Sequence, residues 1–181
     1  GPGSAGASAP RFKVADAEAI AAQIGGLAGV APSAGSSVTV VAQAKNWTTQ
    51  VTGTTSAWFH VGNWRIADGR PFTEAEERSG SAVCVVGETV RQKLFGAANP
   101  VGSAIRVKQF SCEVIGLLAS KGQASMGRDQ DDVVVVPLRT LQRRVTGSLK
   151  VGTLLISMED GSDNTRLKAS LRELLRERRK L

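Results

Sequence analysis

The sequence has no tyrosine, a single histidine and only two cysteines among its 181 residues. The histidine, His60, follows Trp58 and Phe59, and we interpret it as a packing or capping residue. One histidine supports neither an HExxH motif nor a histidine-rich zinc site. Aromatic residues make up 4% of the chain, which disfavours base-stacking platforms. No apolar run approaches the roughly 20 residues that a membrane-spanning helix needs.

The two cysteines, Cys84 and Cys112, lie in the apolar strand patterns AVCVV and FSCEVIGLL. They lack the CxxC spacing of zinc sites. In an oxidising compartment one disulfide could join them, but a cysteine within a strand is usually a small buried hydrophobe. We therefore predict two buried thiols.

Negative charge is scarce at one end of the chain. The net charge is +7, and residues 139–181 hold eleven Lys or Arg against five Asp or Glu. Nearly all of the positive excess therefore lies at this end of the chain. The C-terminal helix is predicted to be amphipathic, and its cations alternate with Glu173 and Glu177. A solvated helix face is therefore the default interpretation. Contact of the helix end with anionic head groups is the sharper alternative.

Local patterns predict mixed helices and strands without the strict alternation of a doubly wound fold, which indicates the α+β class. A helix capped by Asp16 carries Ile20, Ile24 and Leu27 on one face. Thr73 and Glu76 form a capping box. A hairpin is predicted with its turn near residues 45–46, and further strands are predicted in SAVCVVG, IRVKQFSCEVIGLLA, VVVV and KVGTLLISM. A helix is predicted in ETVRQKLFG, and an aromatic cluster is formed by Trp47, Trp58, Phe59 and Trp64. A final helix is capped by Asp163 or Thr165, and its apolar stripe consists of Leu167, Leu171, Leu174 and Leu175.

No catalytic, cofactor or metal site is predicted. The chain has neither a P-loop nor a GxGxxG motif between a strand and a helix, and no nucleophile–base pair is identified. Asp129, Asp131 and Asp132 form a carboxylate cluster, but the glycine and the distal glutamate of a calcium-binding loop are missing. We expect these aspartates to accept backbone hydrogen bonds or to pair with arginines.

Several motifs occur together in a characteristic order. They are VADAEAIA, NWTTQVTGTT, ADGRPFT, NPVG before a strand, and the run KGQASMGRDQDDVVVVPLRTLQRR. In this order the chain, from about Phe12 to its last residue, resembles the periplasmic core domain of MacB-type ABC transporter permeases, relatives of the FtsX-like permeases.

This resemblance implies a two-lobed periplasmic domain. The composition of residues 1–10, GPGSAGASAP, separately indicates a tag remnant and flexible lead. Residues 11–60 and 131–181 would form a discontinuous porter-like α/β lobe, and residues 61–130 an inserted, smaller mixed α/β lobe. The VVVV strand would return the chain from the inserted lobe to the first one, buried on both faces.

The resemblance also implies a function. The domain would stand on the periplasmic face of the bacterial inner membrane and couple cytoplasmic ATP hydrolysis mechanically to export. ATP and Mg would bind in a separate domain, so this domain is expected to hold no cofactor and to catalyse nothing. Expected partners are the permease dimer mate, the ABC ATPase, a periplasmic adaptor and an outer-membrane channel, but not nucleic acid; the fragment alone should be monomeric.

The loop before the VVVV strand is our candidate partner interface. It is glycine-bearing and, by the resemblance, exposed between the lobes. The predicted interface residues are Lys121, Gln123, Arg128, Asp129 and Gln130, whereas Asp131 and Asp132 are expected to anchor the loop. The alternative to a transporter domain is a stand-alone periplasmic module that binds a ligand in an apolar pocket between its lobes.

Overall fold

The computed structural model describes residues 12–122, 127–159 and 164–179. These residues form six α-helices, one π-helical turn and eight strands. In chain order they are α1 (Val14–Gln23), β1 (Leu27–Ala42), β2 (Lys45–Thr54), α2 (Ala57–Val61), β3 (Ile66–Gly69), α3 (Glu74–Ser79), β4 (Val83–Val86), α4 (Glu88–Phe95), β5 (Ala104–Val107), β6 (Phe110–Leu118), β7 (Val133–Pro137), α5 (Leu138–Leu141), the π-helical turn (Gln142–Thr146), β8 (Thr153–Met158) and α6 (Asn164–Arg178).

Six of the strands close into a ring. β1 pairs with β2, which pairs in parallel with β7; β7 pairs with β4, β4 in parallel with β6, β6 with β5, and β5 with β1 again. β3 adds to the far end of β6. We call the part of the chain that builds this ring and its covering helices, residues 34–122 and 127–147, the closed-sheet region.

The first half of β1 belongs to a second layer. Residues 27–33 of β1 pair with β8, α1 packs against β1, and α6 packs against α1. A bridge between Phe12 and Val151 continues this layer, and the Asp16 carboxylate accepts a hydrogen bond from the Arg178 guanidinium at 2.7 Å. We call the described residues of 12–33 and 149–179 the terminal layer.

Alternation along the strands places apolar side chains on both faces of the closed sheet. In β7, Val134 and Val136 face a cluster with Val40, Val51 and Leu94, whereas Val133 and Val135 face the aromatic cluster on the other side. All four valines of β7 are buried, which confirms the prediction of burial on both faces. The aromatic cluster consists of Trp58, Phe59, Phe72 and the partly buried Trp64.

Trp47 lies apart from that cluster, contrary to the prediction. It packs against the other core cluster, and the ammonium of Lys93 lies 4.7 Å from its ring centre. His60 is exposed rather than packed. The difference arises because β2 carries Trp47 to the opposite face of the sheet from Trp58 and Phe59.

Most of the predicted local elements are present. The Thr73 hydroxyl accepts a hydrogen bond from the Glu76 N–H at 3.1 Å, and the Glu76 carboxylate accepts from the Thr73 N–H at 2.8 Å, which confirms the capping box. The β1–β2 turn falls at residues 43–44, where Gln43 and Ala44 have φ angles of 51° and 68°.

The first helix differs from its prediction at both ends. It begins at Val14, so Asp16 is its third residue, and its carboxylate accepts from the Lys13 N–H at 2.8 Å. The helix ends at Gln23; therefore Ile24 lies beyond it, and Leu27 already begins β1. Only Ile20 of the predicted apolar face is a buried residue of the helix.

The elements near the C-terminus have few buried side chains. β8 has no fully buried residue, and no residue of α6 is buried, although Leu167, Leu171, Leu174 and Leu175 are half-buried. Thr165 is the second residue of α6 rather than its cap, and Asp163 lies outside the described residues.

The two cysteines are buried, as predicted, but they are not free thiols. Cys84 and Cys112 form a disulfide, with their Cα atoms 5.8 Å apart. The residues are 28 positions apart in sequence, but β4 and β6 are neighbours in the sheet and bring them together. Local patterns around each cysteine do not encode that neighbourhood.

The strand pairings also cross the lobe boundaries that the sequence predicted at residues 60 and 131. β4, β5 and β6 of the range 61–130 complete the ring with β1, β2 and β7. The mixed helix-and-strand character is confirmed, while the porter-like, two-lobed description stays a prediction.

Candidate partner-binding loop

The connection between β6 and β7 is the candidate interface, and its base is held by Asp131. This side chain is 5% exposed. One carboxylate oxygen accepts from the Lys121 N–H at 2.7 Å, and the other accepts from the Ser120 hydroxyl at 2.7 Å and the Gly122 N–H at 2.9 Å. Burial alone would raise the pKa of Asp131, but these hydrogen bonds and the nearby Lys121 ammonium lower it.

The other two aspartates hold the same segment to different elements. Asp129 accepts from the Thr89 hydroxyl of α4 at 2.5 Å and from the Asp131 N–H at 2.9 Å. Asp132 accepts from the Trp47 indole at 2.9 Å and the Thr49 hydroxyl at 2.6 Å, both on β2. Anchoring by Asp131 and Asp132 was predicted and is confirmed, whereas Asp129 anchors the loop as well.

Gly87 makes this attachment sterically possible. A Cβ atom at this position would lie 2.1 Å from the Asp131 carbonyl oxygen. The Gly87 N–H donates to the Val133 carbonyl at 2.9 Å, and the Thr89 N–H donates to the Asp131 carbonyl at 3.2 Å. A glycine before α4 therefore lets the end of the loop lie against the start of the helix.

Lys121 fixes the first side of the loop to the segment that follows α2. Its ammonium lies 4.3 Å from the ring centre of Trp64 and donates a hydrogen bond to the Gly62 carbonyl. Burial lowers the pKa of Lys121, and the Asp131 carboxylate partly opposes that effect. Trp64 in turn stacks on Trp58, with ring centres 5.3 Å apart.

The base of the loop is closed by a hydrogen bond from the Gln130 N–H to the Gly122 carbonyl at 3.1 Å. Of the predicted interface residues, Arg128 is exposed, Lys121 is exposed but bound to the Gly62 carbonyl, and Gln130 is half-buried. Gln123 lies outside the described residues. The four described residues, Lys121, Arg128, Asp129 and Gln130, therefore all lie at the base of the loop. Among these four, only the Arg128 side chain faces solvent without a bonded partner.

Sequence reasoning missed the groups that receive the loop. Trp64, Thr89 and Trp47 lie 40 or more positions before their partners, and no local pattern links them. The one available signal was the density of hydrogen-bonding carboxylates just before a fully apolar strand, since buried carboxylates require donors.

The carboxylate cluster is not arranged as a metal site. Within the described residues, no group of three His, Cys, Asp or Glu side chains is positioned to hold a metal ion. Both Asp131 oxygens face N–H or O–H donors, which is the arrangement of a structural anchor.

A separate cleft lies between the two regions, where Val14 approaches α3 and α5. Its volume is about 290 Å³, and Glu74, Glu77, Arg78 and Arg139 supply most of its polar lining. Ligand pockets usually have volumes of about 300–1,000 Å³, so this cleft is slightly smaller than most of them.

Across the part of the chain that is described, no helix has the length and apolarity needed to traverse a bilayer.

Comparison with known families matches residues 1–174 to the family described as "MacB-like periplasmic core domain". The macrolide export ATP-binding/permease protein MacB of Bdellovibrio bacteriovorus is 34% identical over 171 residues, which cover 94% of this chain and 26% of that protein. Its counterpart in Syntrophobacter fumaroxidans is 37% identical over 134 residues, covering 74% and 19%. The pyoverdine export ATP-binding/permease protein PvdT of Pseudomonas entomophila is 36% identical over 128 residues, covering 70% and 20%.

The chain thus spans about a fifth to a quarter of the length of these relatives. Two solved structures share its fold. The periplasmic region of MacB from Actinobacillus actinomycetemcomitans superposes with a TM-score of 0.82 at 24% identity, covering 98% of this chain and 79% of that one. The extracellular domain of the ABC-type transporter YknZ gives a TM-score of 0.78 at 21% identity, covering 96% and 87%.

Proposed function

From its membership of the family of MacB-like periplasmic core domains, to which the chain belongs, we propose that it works as a mechanical coupling element of an ABC export permease. The domain lies on the periplasmic side of the transporter and is not itself catalytic; ATP hydrolysis belongs to a separate domain. In this proposal, nucleotide-driven movement reaches the terminal layer and is passed to the closed-sheet region, which engages the dimer mate and a periplasmic adaptor that leads to an outer-membrane channel.

One structural observation supports the mechanical part. β1 is a single strand of 16 residues that pairs with β8 in its first half and with β2 in its second half. Because the same strand belongs to both sheets, a displacement of the terminal layer is transferred directly to the closed ring. A flexible linker between the two regions would not transmit it in this way.

Insertion of two glycines between Ser33 and Ala34 tests this coupling. We would label Gln109→Cys, at an exposed turn, with a spin probe in the complete transporter and measure the distance between the two copies with and without ATP. The insertion should remove the nucleotide-dependent change in distance while ATP hydrolysis continues. The same insertion between Gln43 and Ala44, at the exposed end of β1, is the control and should preserve the change.

A constant distance in the unmodified transporter, with and without ATP, would contradict the proposed movement. A change that survives the Ser33–Ala34 insertion would contradict β1 as its route.

The proposed partner contact is the exposed side of the anchored loop. Arg128 is the residue to reverse, because its charge faces solvent, whereas Asp129 also holds the loop. Arg128→Glu should weaken adaptor or dimer affinity about fivefold to tenfold, equivalent to roughly 1 kcal/mol. Lys150→Glu, at an exposed position of the terminal layer, is the matched charge reversal and should leave affinity within about twofold. Equal affinities for both variants and the unmodified chain would remove the loop from the interface.

A further inference from the structure

The disulfide between Cys84 and Cys112 is enclosed on every side that the structure describes. The two residues are 0% and 1% exposed. Both belong to the core cluster that also contains Val86, Val114 and Val134. No solvent path to either sulfur is left when the sheet is complete.

The strands that carry the cysteines are interior strands. β4 lies between β6 and β7, and β6 is bordered by β5 and β3 on one side and by β4 on the other. Neither strand offers a free edge beside its cysteine that an incoming chain could pair with. Access to the sulfurs therefore requires that the ring open between β4 and a neighbour.

Forming this disulfide requires an oxidant molecule to reach the sulfur atoms of the two cysteines. A thiolate must attack a sulfur of an existing disulfide, forming a mixed disulfide whose second partner is then displaced. A mixed disulfide with either cysteine would place foreign atoms inside the closely packed cluster, which interiors of this density do not accommodate. Oxidation after folding is consequently blocked by the fold itself.

We propose that this chain is a folding substrate of a disulfide-bearing oxidant, which joins Cys84 to Cys112 before the ring closes around them. The proposal rests on the periplasmic placement above, because an oxidising compartment is where such oxidants maintain disulfides. The bond is then a permanent staple of the closed-sheet region rather than a reversible switch.

The reaction balances as two exchanges. The thiolate of one cysteine attacks the oxidant's disulfide, forms a mixed disulfide and releases one oxidant thiolate. The thiolate of the other cysteine attacks the chain's sulfur in that mixed disulfide, forms the Cys84–Cys112 bond and releases the second oxidant thiolate. The chain loses two electrons and two protons in total, and the oxidant's disulfide becomes a dithiol.

Thiol labelling of the purified protein tests the enclosure. The native protein would be incubated in dithiothreitol with and without denaturant, alkylated, and analysed by mass. We expect reduction in native buffer to be at least about 100-fold slower than in denaturant, since the sulfurs are reached only through opening of the sheet. Comparable rates would overturn the proposal.

Secretion into a bacterial periplasm tests the oxidant. The chain would be produced in cells with and without their periplasmic thiol-oxidising protein, and the oxidised fraction measured by the same labelling. We expect the oxidised, folded fraction to fall several-fold in the deficient cells. Equal oxidised fractions in the two strains would overturn a requirement for that oxidant.

Two further arms sharpen the result. Cystine added to the deficient cells distinguishes a small disulfide from a protein oxidant as the source. Full recovery of the oxidised fraction assigns the role to any disulfide-bearing molecule, and no recovery assigns it to the protein.

The double variant Cys84→Ala/Cys112→Ala should give the same yield in both strains. A drop for this variant too would show that the strain effect does not act through these cysteines. Failure here leaves the coupling test above unaffected, because that test measures movement rather than oxidation.

Discussion

The closed-sheet region and the terminal layer use the same kinds of element but cover their apolar side chains very differently. In the closed-sheet region, β7 is buried on both faces and α4 buries Val90, Leu94 and Phe95. In the terminal layer, α6 has 15 residues, yet none of them is buried. The layer is held by the β1–β8 pairing, by the buried side chains of Ile20 and Val151, and by the Asp16–Arg178 ion pair at its surface.

This difference separates a rigid body from an adjustable one. A ring of six strands has no free edge, and the disulfide joins two of its members. Elements with little buried apolar area open at lower free energy than the core of a domain. We therefore expect α6 and the outer part of the terminal layer to open at lower free energy than the closed-sheet region.

The largest expected effect comes from the same substitution made in both regions. Leu94→Ala removes a side chain that is 1% exposed in the closed-sheet core and should lower the free energy of unfolding by about 2–5 kcal/mol. Leu171→Ala removes a half-buried side chain of α6 and should cost less than about 1 kcal/mol. Urea denaturation followed by circular dichroism measures both.

Equal losses for the two variants would mean that the terminal layer is as integral to the domain as the ring. A loss at Leu171 larger than the loss at Leu94 would reverse the proposed order of stability.

The next effect concerns the anchored loop of the closed-sheet region. Asp131→Asn turns one carboxylate oxygen into an amide N–H₂ that faces N–H or O–H donors, so the free energy of unfolding should fall by about 1–3 kcal/mol. Hydrogen exchange should accelerate at Lys121 and Gly122. Arg128→Ala, on the exposed side of the same loop, is the control and should change stability by less than about 0.5 kcal/mol. Unchanged exchange in Asp131→Asn would show that the loop is held by other contacts.

The smallest effect compares one carboxylate from each region as pH changes. Hydrogen bonds from Arg70 lower the pKa of Glu76 from 4.5 to about 2. Burial would raise the pKa of Asp16, but hydrogen bonds from Arg178 and from the Lys13 N–H lower it. Both folded pKa values lie below the unfolded ones, so each contribution is complete above the unfolded pKa and is lost as pH falls through the folded pKa.

For Glu76 this window runs from pH 4.5 down to about 2. Because Arg70 is half-exposed, we expect Glu76→Gln to cost only about 1 kcal/mol at pH 7, and the difference from the unmodified protein should vanish near the lower limit. Arg178→Ala should cost less, since it affects only the terminal layer. Thermal unfolding from pH 7 to pH 2 measures both; a cost for Glu76→Gln that does not change with pH would contradict an ionic origin.

Local sequence patterns predicted the elements whose causes are local. The Thr73–Glu76 capping box joins residues three positions apart, and β7 was recognised because four consecutive valines bury both faces of a strand. The first half of β1 was missed, because Gly29, Pro32 and Gly35 interrupt the alternation that marks a strand. Its stability comes from β8, more than 110 positions later in the chain.

The candidate loop shows the same division. Its three aspartates were noticed, and anchoring was predicted for two of them, since a carboxylate beside a buried strand needs donors. The identity of the donors could not be predicted from the sequence, because Trp47 and Thr89 approach the loop only when β2 and α4 are assembled around it.

By itself the sequence determined the mixed helix-and-strand class, the family resemblance, the burial of β7 and the basic character of the C-terminal end. Those properties follow from residue type and from spacings of a few positions. Only the tertiary structure decided that six strands close into a ring, that Cys84 meets Cys112, and that β1 is shared by two sheets. These outcomes depend on pairings between residues 28 to more than 100 positions apart, whose free energy is realised only when the whole sheet is assembled.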